Sequence, residues 1–258
     1  MSPLEPHNPT GRFSGLADLY ARCRPDYPTA ALDAIIERCR LNGTTLLVDV
    51  GCGTGISSRQ FAARGIPVLG IEPNDEMRTR AEAVAVPGGV SPRYRKGSAE
   101  ATGLPDGCAR AVLAAQAFHW FDADAALREF ARILQPDGWV ALLWNERDES
   151  DTFTAEYGAV VRTAPDAAAT EQPRLRAGEP LLHHPLFCDG ERLDFRHEQE
   201  LDEDGALGRA FSASYAPREP AAAEAFATAL RRVFAAHQRG RKVRLVYQTS
   251  LYLARKRD

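Results

Sequence analysis

Asp49, followed by Gly51, Gly53 and Gly55 at alternate positions in VDVGCGTG (residues 48–55), is the first set of residues in this chain whose types and spacing could do chemistry. Glycines at every second position let the backbone turn tightly and approach a ligand with no Cβ between. About 20 residues further on, Glu72 closes the next apolar run, where nucleoside-binding sheets set an acid to accept both ribose hydroxyls. An acid at that point disfavours a 2′-phosphate and hence NADP. No Gly-Lys-Ser/Thr follows the turn, which excludes Walker-type phosphate binding. Alone, the turn could be a connection and Glu72 a solvated strand end; together they read as a nucleoside site.

Such residues meet only if strands and helices alternate around them. TLLVDV, IPVLGIE, a segment of CARAVLAAQAFHW and GWVALLWNE read as strands of apolar character, with PRYRKG a weaker strand as the third of five. Helical patterns separate them: ISSRQFAARG, NDEMRTRAEAVA capped by Asn74, and DADAALREFARILQP stopped by Pro136. Ahead of them, FSGLADLYARCR forms a short helix up to Pro25. AALDAIIERCR forms another, with Thr29 as its cap and Asn42 and Gly43 as its end. This alternation predicts a doubly wound, Rossmann-like α/β fold with a mostly parallel sheet. GERLDFRHEQEL and VRLVYQTSLYLARK bring the strands to seven, the last alternating like an antiparallel one, with the helix PAAAEAFATALRRVFAAHQRG between.

Domain organisation follows from the same pattern. Residues 1–145 hold the N-terminal helices and the binding core, and 191–258 return to order and complete it. Residues 146–190, rich in acid, alanine and proline, hold one helical stretch, TFTAEYGAVVRTA, before the loop-like HHPLFCDG. An insertion of that length reads as a lid or substrate-binding segment. The first dozen residues are polar and proline-broken and read as disordered or draped.

Composition sets limits. With 258 residues, 44% of them hydrophobic, the chain can bury a sizeable core, and a net charge of −3 offers no field for nucleic acid or an anionic membrane. The basic runs RGRKVR and ARKRD lack interleaved aromatics and read as solvated faces. Five cysteines without a Cys-x-x-Cys pair argue against disulfides and zinc and for a reducing cytoplasm. The scattered histidines suggest no metal site, and neither a membrane span nor a signal peptide is legible.

Taken in order, LLVDVGCGTG, GIEPN, GSAEATGLPDG, AAQAFHWFD and RILQPDGWVALLWNERD resemble the motifs of class I S-adenosylmethionine-dependent methyltransferases. YARCRPDYP at 20–28 narrows the resemblance to the small-molecule branch that includes trans-aconitate methyltransferase-like proteins. The resemblance covers most of residues 13–148 and, more loosely, SASY at 212–215 and the final strand.

It implies S-adenosyl-L-methionine as cofactor and S-adenosyl-L-homocysteine as product. Asp49, Gly51, Gly53 and Gly55 would line the methionine and ribose, Glu72 would hold the ribose diol, and Pro73, Asn74 and Met77 would border the adenine. Ser98, Ala99 and Glu100 would contact the adenine edge; many relatives have Asp where this chain has Ser98. Ala115, Gln116 and Phe118 follow strand four on the methionine side, and Tyr20, Arg24 and Tyr27 form the remaining wall. Arg24 would either pair with the methionine carboxylate or simply end its helix as a cation.

In-line methyl transfer draws most of its rate from holding two reactants in a near-attack geometry and needs a base only for protonated acceptors. His119, Trp120 and Tyr20 are the candidates for catalytic contact, with His119 either a base or a packed residue. His119, Trp120, Trp144, Asn145 and Tyr215 are the candidates for the acceptor. The expected partner is a small molecule, with no nucleic acid or membrane, and the chain is expected as monomer or homodimer. Three rivals stay open: a ring closure of the cofactor that releases methylthioadenosine, non-catalytic cofactor binding, and, more distantly, a nicotinamide dehydrogenase.

Overall fold

A computed structural model describes residues 15–171 and 176–257. Seven strands form one sheet: β1 (Leu47–Val50), β2 (Val68–Ile71), β3 (Arg93–Arg95), β4 (Ala109–Ala115), β5 (Leu134–Arg147), β6 (Phe187–Leu201) and β7 (Val243–Lys256). Their spatial order is β3-β2-β1-β4-β5-β7-β6. The first five run parallel, and β7 lies antiparallel between β5 and β6. The order reverses between β1 and β4. In an open α/β sheet, that reversal leaves a crevice beyond the carboxyl ends of the strands. The expected draped segment, residues 1–12, lies outside the described residues, as do Phe13 and Ser14 of the first helical pattern.

The sheet is covered on both faces at its centre, where β1 and β4 are apolar on both. In β1, Leu47 packs with Leu32, Ile35 and Phe61 beneath α2 (Thr29–Cys39) and α3 (Ile56–Ala62). Val48 and Val50 point the other way, into a core with Leu127 and Phe130 of α5 (Ala123–Ile133). Each such fully buried side chain stabilises the fold by about 1.5–3 kcal/mol relative to exposure. A third core gathers the start of β7 with α6 (Thr152–Val161), α9 (Glu203–Phe211) and α10 (Pro220–His237).

Several boundaries differ from the sequence reading. Thr29 is the first residue of α2 rather than its cap: Pro28 holds that position without a side-chain bond. The helix ends at Cys39, where Arg40 takes the left-handed conformation (φ 52°) and donates its N–H to Ile36 and Glu37, ahead of Asn42 and Gly43. α5 stops at Ile133, and β5 begins at Leu134 with a register break before Trp139, so Pro136 sits in the strand's irregular start. HHPLFCDG is not a loop: α8 (Glu179–His183) ends at His183 and β6 begins at Phe187. α7 (Ala167–Glu171) and α9 have no counterpart in the sequence reading. α9 carries Gly205 and Gly208, which depress helix propensity. A Cβ at Gly208 would meet Cys23 Sγ of α1 (Ala17–Cys23) at 2.5 Å, so close helix packing outweighs that propensity.

Candidate active site

All three glycines of the turn after β1 have positive φ: 67° at Gly51, 55° at Gly53 and 76° at Gly55. The turn hangs from the end of β2, with the Gly51 N–H donating to the Ile71 carbonyl at 2.8 Å. Each glycine answers a different demand. At Gly51 a Cβ would lie 2.7 Å from the Ala117 Cβ and 3.0 Å from the Phe121 ring, so the segment after β4 closes onto this point. At Gly55 a Cβ would run into the Tyr94 hydroxyl. At Gly53 nothing lies within 4 Å, and the residue borders an open cleft.

That cleft has a volume of about 180 Å³ and lies where the strand order reverses. Glu72 stands on its wall, 8% exposed. One carboxylate oxygen accepts the Gly53 N–H at 2.8 Å and the other the Asn74 N–H at 2.9 Å. A carboxylate has about four acceptor positions, so two backbone bonds leave capacity facing the cleft. Burial raises the Glu72 carboxyl above the ordinary range, against the lowering effect of those two N–H groups.

The wall continues through Pro73 and Met77, then Ser98, Ala99 and Glu100, then Ala115 and Gln116. Gln116 adopts φ 58° and donates its amide N–H to the Asn145 carbonyl at 2.9 Å. Backbone strain of this kind costs about 1–3 kcal/mol and persists where surrounding contacts hold it. Trp120 lines the same side, and Tyr20 and Tyr27 close the N-terminal side. Tyr27 is clamped to α3, its N–H donating to Gln60 Oε1 and its carbonyl accepting from Gln60 Nε2. Among the described lining residues Glu72 and Glu100 are acidic, and none is lysine, arginine or histidine. The field in the cleft therefore favours a cationic guest over a pyrophosphate.

Other residues expected here lie behind the wall. Asp49 is fully buried beneath the turn, where one oxygen accepts the hydroxyls of Ser57 at 2.7 Å and Ser58 at 2.6 Å. Burial pushes its carboxyl up to about 6 despite those bonds. Gly55 packs on Tyr94, and Asn74 spends its side-chain oxygen capping α4 (Asp75–Glu82) through the Met77 N–H. Phe118 is a core residue, 5.8 Å edge-to-face from Phe121. Arg24 stacks on Tyr20 with Cζ 4.6 Å from the ring centroid, and donates to the Ser212 carbonyl at 3.1 Å.

The acceptor candidates divide in the same way. His119 sits in the 3-10 turn Phe118–Trp120 against the Trp120 ring, and its Nδ1 accepts the Trp144 indole N–H at 3.3 Å. That bond assigns the neutral ring a protonated Nε2. Trp144 is 1% exposed and belongs to the core, edge-on to Tyr252. Asn145 is a strut, accepting from the Thr249 hydroxyl at 2.6 Å and donating to the Asp26 carbonyl at 2.8 Å. Tyr215 is buried and donates to Glu171 at 2.5 Å, away from the cleft wall.

The sequence reading passed over Cys52, Thr54, Ile56, Ser57 and Ala117 as wall residues. Cys52 and Thr54 stand between the glycines and were recoverable from that spacing. Ile56 and Ser57 carry no signal of type; they reach the wall only because the helix begins immediately after Gly55.

Residues 48–142 match the family model described as a methyltransferase domain. An uncharacterized methyltransferase of Mycobacterium tuberculosis is 36% identical over 149 residues, 58% of each chain. The chain thus spans little more than half the length of that curated relative. The ubiquinone biosynthesis O-methyltransferase of Pseudomonas fluorescens is 31% identical over 161 residues, 59% of this chain and 69% of that one. In three dimensions the chain resembles a proposed type II methyltransferase from Anaeromyxobacter dehalogenans, with a TM-score of 0.65 at 24% identity over 90% of this chain and 97% of the other. These relatives do not single out the trans-aconitate branch.

Proposed function

We propose that this chain, which belongs to the class I S-adenosylmethionine-dependent methyltransferase family, binds S-adenosyl-L-methionine in the cleft and passes its methyl group to a small-molecule acceptor. The observation that carries this reading is the pairing of Glu72 with the open Gly53 backbone in a cleft that has two carboxylates and no cationic side chain among its described lining. An adenosyl sulfonium brings a ribose diol for the carboxylate and positive charge for the field. A dinucleotide would bring a pyrophosphate that nothing here neutralises.

Residue roles follow from position. Glu72 would accept the ribose hydroxyls with the capacity its backbone bonds leave. Pro73, Met77 and the loop Ser98–Glu100 would border the base, Met77 through an adaptable thioether. Gly51, Gly53 and the strained Gln116 would bring backbone close to the amino-acid end, and Tyr20, Tyr27 and Trp120 would exclude water from it. When bound, the cofactor supplies an electrophilic methyl group on a cationic sulfur. The chain's own contribution is orientation and shielding, which suits in-line displacement, since alignment alone supplies a large share of such accelerations. His119 is oriented by Trp144 behind Trp120, which supports the packing role over the base.

Isothermal titration calorimetry with S-adenosylmethionine and S-adenosylhomocysteine tests the binding. Mass spectrometry of the nucleoside product tests the reaction: S-adenosylhomocysteine is expected, and methylthioadenosine would mean ring closure instead.

A further inference from the structure

A buried arginine is ordinarily matched by a carboxylate, because an unpaired charge in the interior is costly. Arg147, at the end of β5, follows that rule: its Nη2 donates to both oxygens of Glu171 at 2.8 Å, and Tyr215 donates to the same carboxylate. Arg209 of α9 does not. It is 8% exposed, and among the described residues no carboxylate reaches ion-pair distance of it. Its side-chain hydrogen bond there runs from Nε to the Tyr247 hydroxyl at 3.1 Å, with Cζ 5.9 Å from the centroid of that ring. A guanidinium carries five N–H donors. The terminal nitrogens of Arg209 have no protein acceptor among the described residues, yet they are not sealed from solvent.

The position of this cation gives it a use. Tyr247 is the cross-strand partner of Arg147, and its hydroxyl donates to Gln199, whose amide donates to the Cys23 carbonyl at the end of α1. α1 carries Tyr20 of the cleft wall, crosses α9 at Gly208, and buries none of its own residues. Arg209 thus stands beneath the light helix that walls the cleft, on the side of the carboxyl end of β5. Charge is divided between the two places: carboxylates on the cleft wall, and a guanidinium with no carboxylate partner among the described residues, outside the lining of that cleft.

We infer that Arg209 anchors an acceptor subsite for a small organic anion, a carboxylate or a phosphate ester, taken up by the planar fork of the guanidinium. This rests on the methyltransferase reading above, with the cationic cofactor and the anionic acceptor occupying neighbouring fields of opposite sign.

Citrate and glycerol 3-phosphate, with glycerol as the neutral control, are titrated calorimetrically into the full chain with and without saturating S-adenosylhomocysteine. Wild-type protein is expected to bind at least one of the two anions, the preferred one marking carboxylate or phosphate as the source, and not to bind glycerol. Arg209→Met is expected to weaken that anion about tenfold or more while leaving S-adenosylhomocysteine affinity within about twofold. If Arg209→Met does not fold, Arg209→Lys, which keeps the charge and loses the fork, carries the test with a loss of several-fold. Absence of anion binding to wild type, or equal binding by the folded variant, overturns the subsite. Loss of S-adenosylhomocysteine binding in wild type counts against the methyltransferase reading alone, since the anion titration without it still decides the subsite.

Discussion

Glu72 and Gly53 are joined by a 2.8 Å hydrogen bond from the glycine N–H to the carboxylate, so the end of β2 holds the turn after β1 in place. The same carboxylate serves the fold and faces the cleft, and the two duties separate on mutation. Glu72→Ala removes the acceptor for two backbone N–H groups, costing on the order of 1–3 kcal/mol of stability. It should also weaken S-adenosylhomocysteine by about tenfold or more through the lost ribose contact. Denaturant unfolding and calorimetry on the same preparation measure the two effects. Unchanged affinity in a folded variant would remove Glu72 from the site.

Gly51 and Gly53 should respond differently to alanine. Both have positive φ, a strain of about 1 kcal/mol for alanine. Only Gly51 adds a clash, with Ala117 and Phe121. Gly51→Ala should therefore lose clearly more stability than Gly53→Ala, whereas Gly53→Ala should lose cofactor affinity out of proportion to its melting temperature. Equal melting temperatures for the two variants would contradict this division.

Asp49 makes the apoprotein pH-sensitive in a stated direction. Its folded pKa, pushed up to about 6 by burial, lies above the ordinary aspartate value, so the folded state holds this proton more tightly than the unfolded chain. The stabilisation is full below the unfolded value and is lost as pH rises through about 6, a difference on the order of 2–3 kcal/mol. Asp49→Asn keeps an acceptor for the serine hydroxyls and cannot ionise. Its stability relative to wild type should rise between pH 5 and pH 8 in denaturant unfolding, and a pH-independent difference would refute the assignment. Cationic S-adenosylmethionine should in turn bind wild type more weakly as pH falls through the same range, and by more than its neutral product does.

The Trp144 indole N–H, placed on His119 Nδ1, predicts a graded pair of variants. Trp144→Phe loses one hydrogen bond and keeps most of the packing, about 0.5–1.5 kcal/mol. Trp144→Ala empties a core position and should cost about 3–5 kcal/mol. Thermal or denaturant unfolding reads both, and a near-equal loss would mean that the hydrogen bond, not the ring, carries the stabilisation.

The order of the core elements was legible because β1, β2, β4 and β5 carry apolar runs between helices, and those runs have few other ways to be buried. The Gly51–Gly53–Glu72 constellation was legible for a related reason: positive φ and an acid at a strand end leave marks in residue type. Elsewhere type and position part company. Asp49 looks like a ligand residue by its place in the motif, but β1 alternates, and that side chain is turned to the serines at the start of α3. Trp144 and Asn145 follow the right strand, yet the antiparallel partner β7 occupies them through Tyr252 and Thr249. α9 went unread because two glycines argue against a helix, and the contact that calls for one of them, Gly208 against Cys23, is made in three dimensions.

Calorimetric titration of the purified full chain with S-adenosylhomocysteine, with NAD⁺ run in parallel, tests the central claim most directly. Saturable 1:1 binding of S-adenosylhomocysteine, weakened in Glu72→Ala, with no heat from NAD⁺, is the predicted result. Folded protein that takes up NAD⁺ and gives no heat with S-adenosylhomocysteine would contradict it.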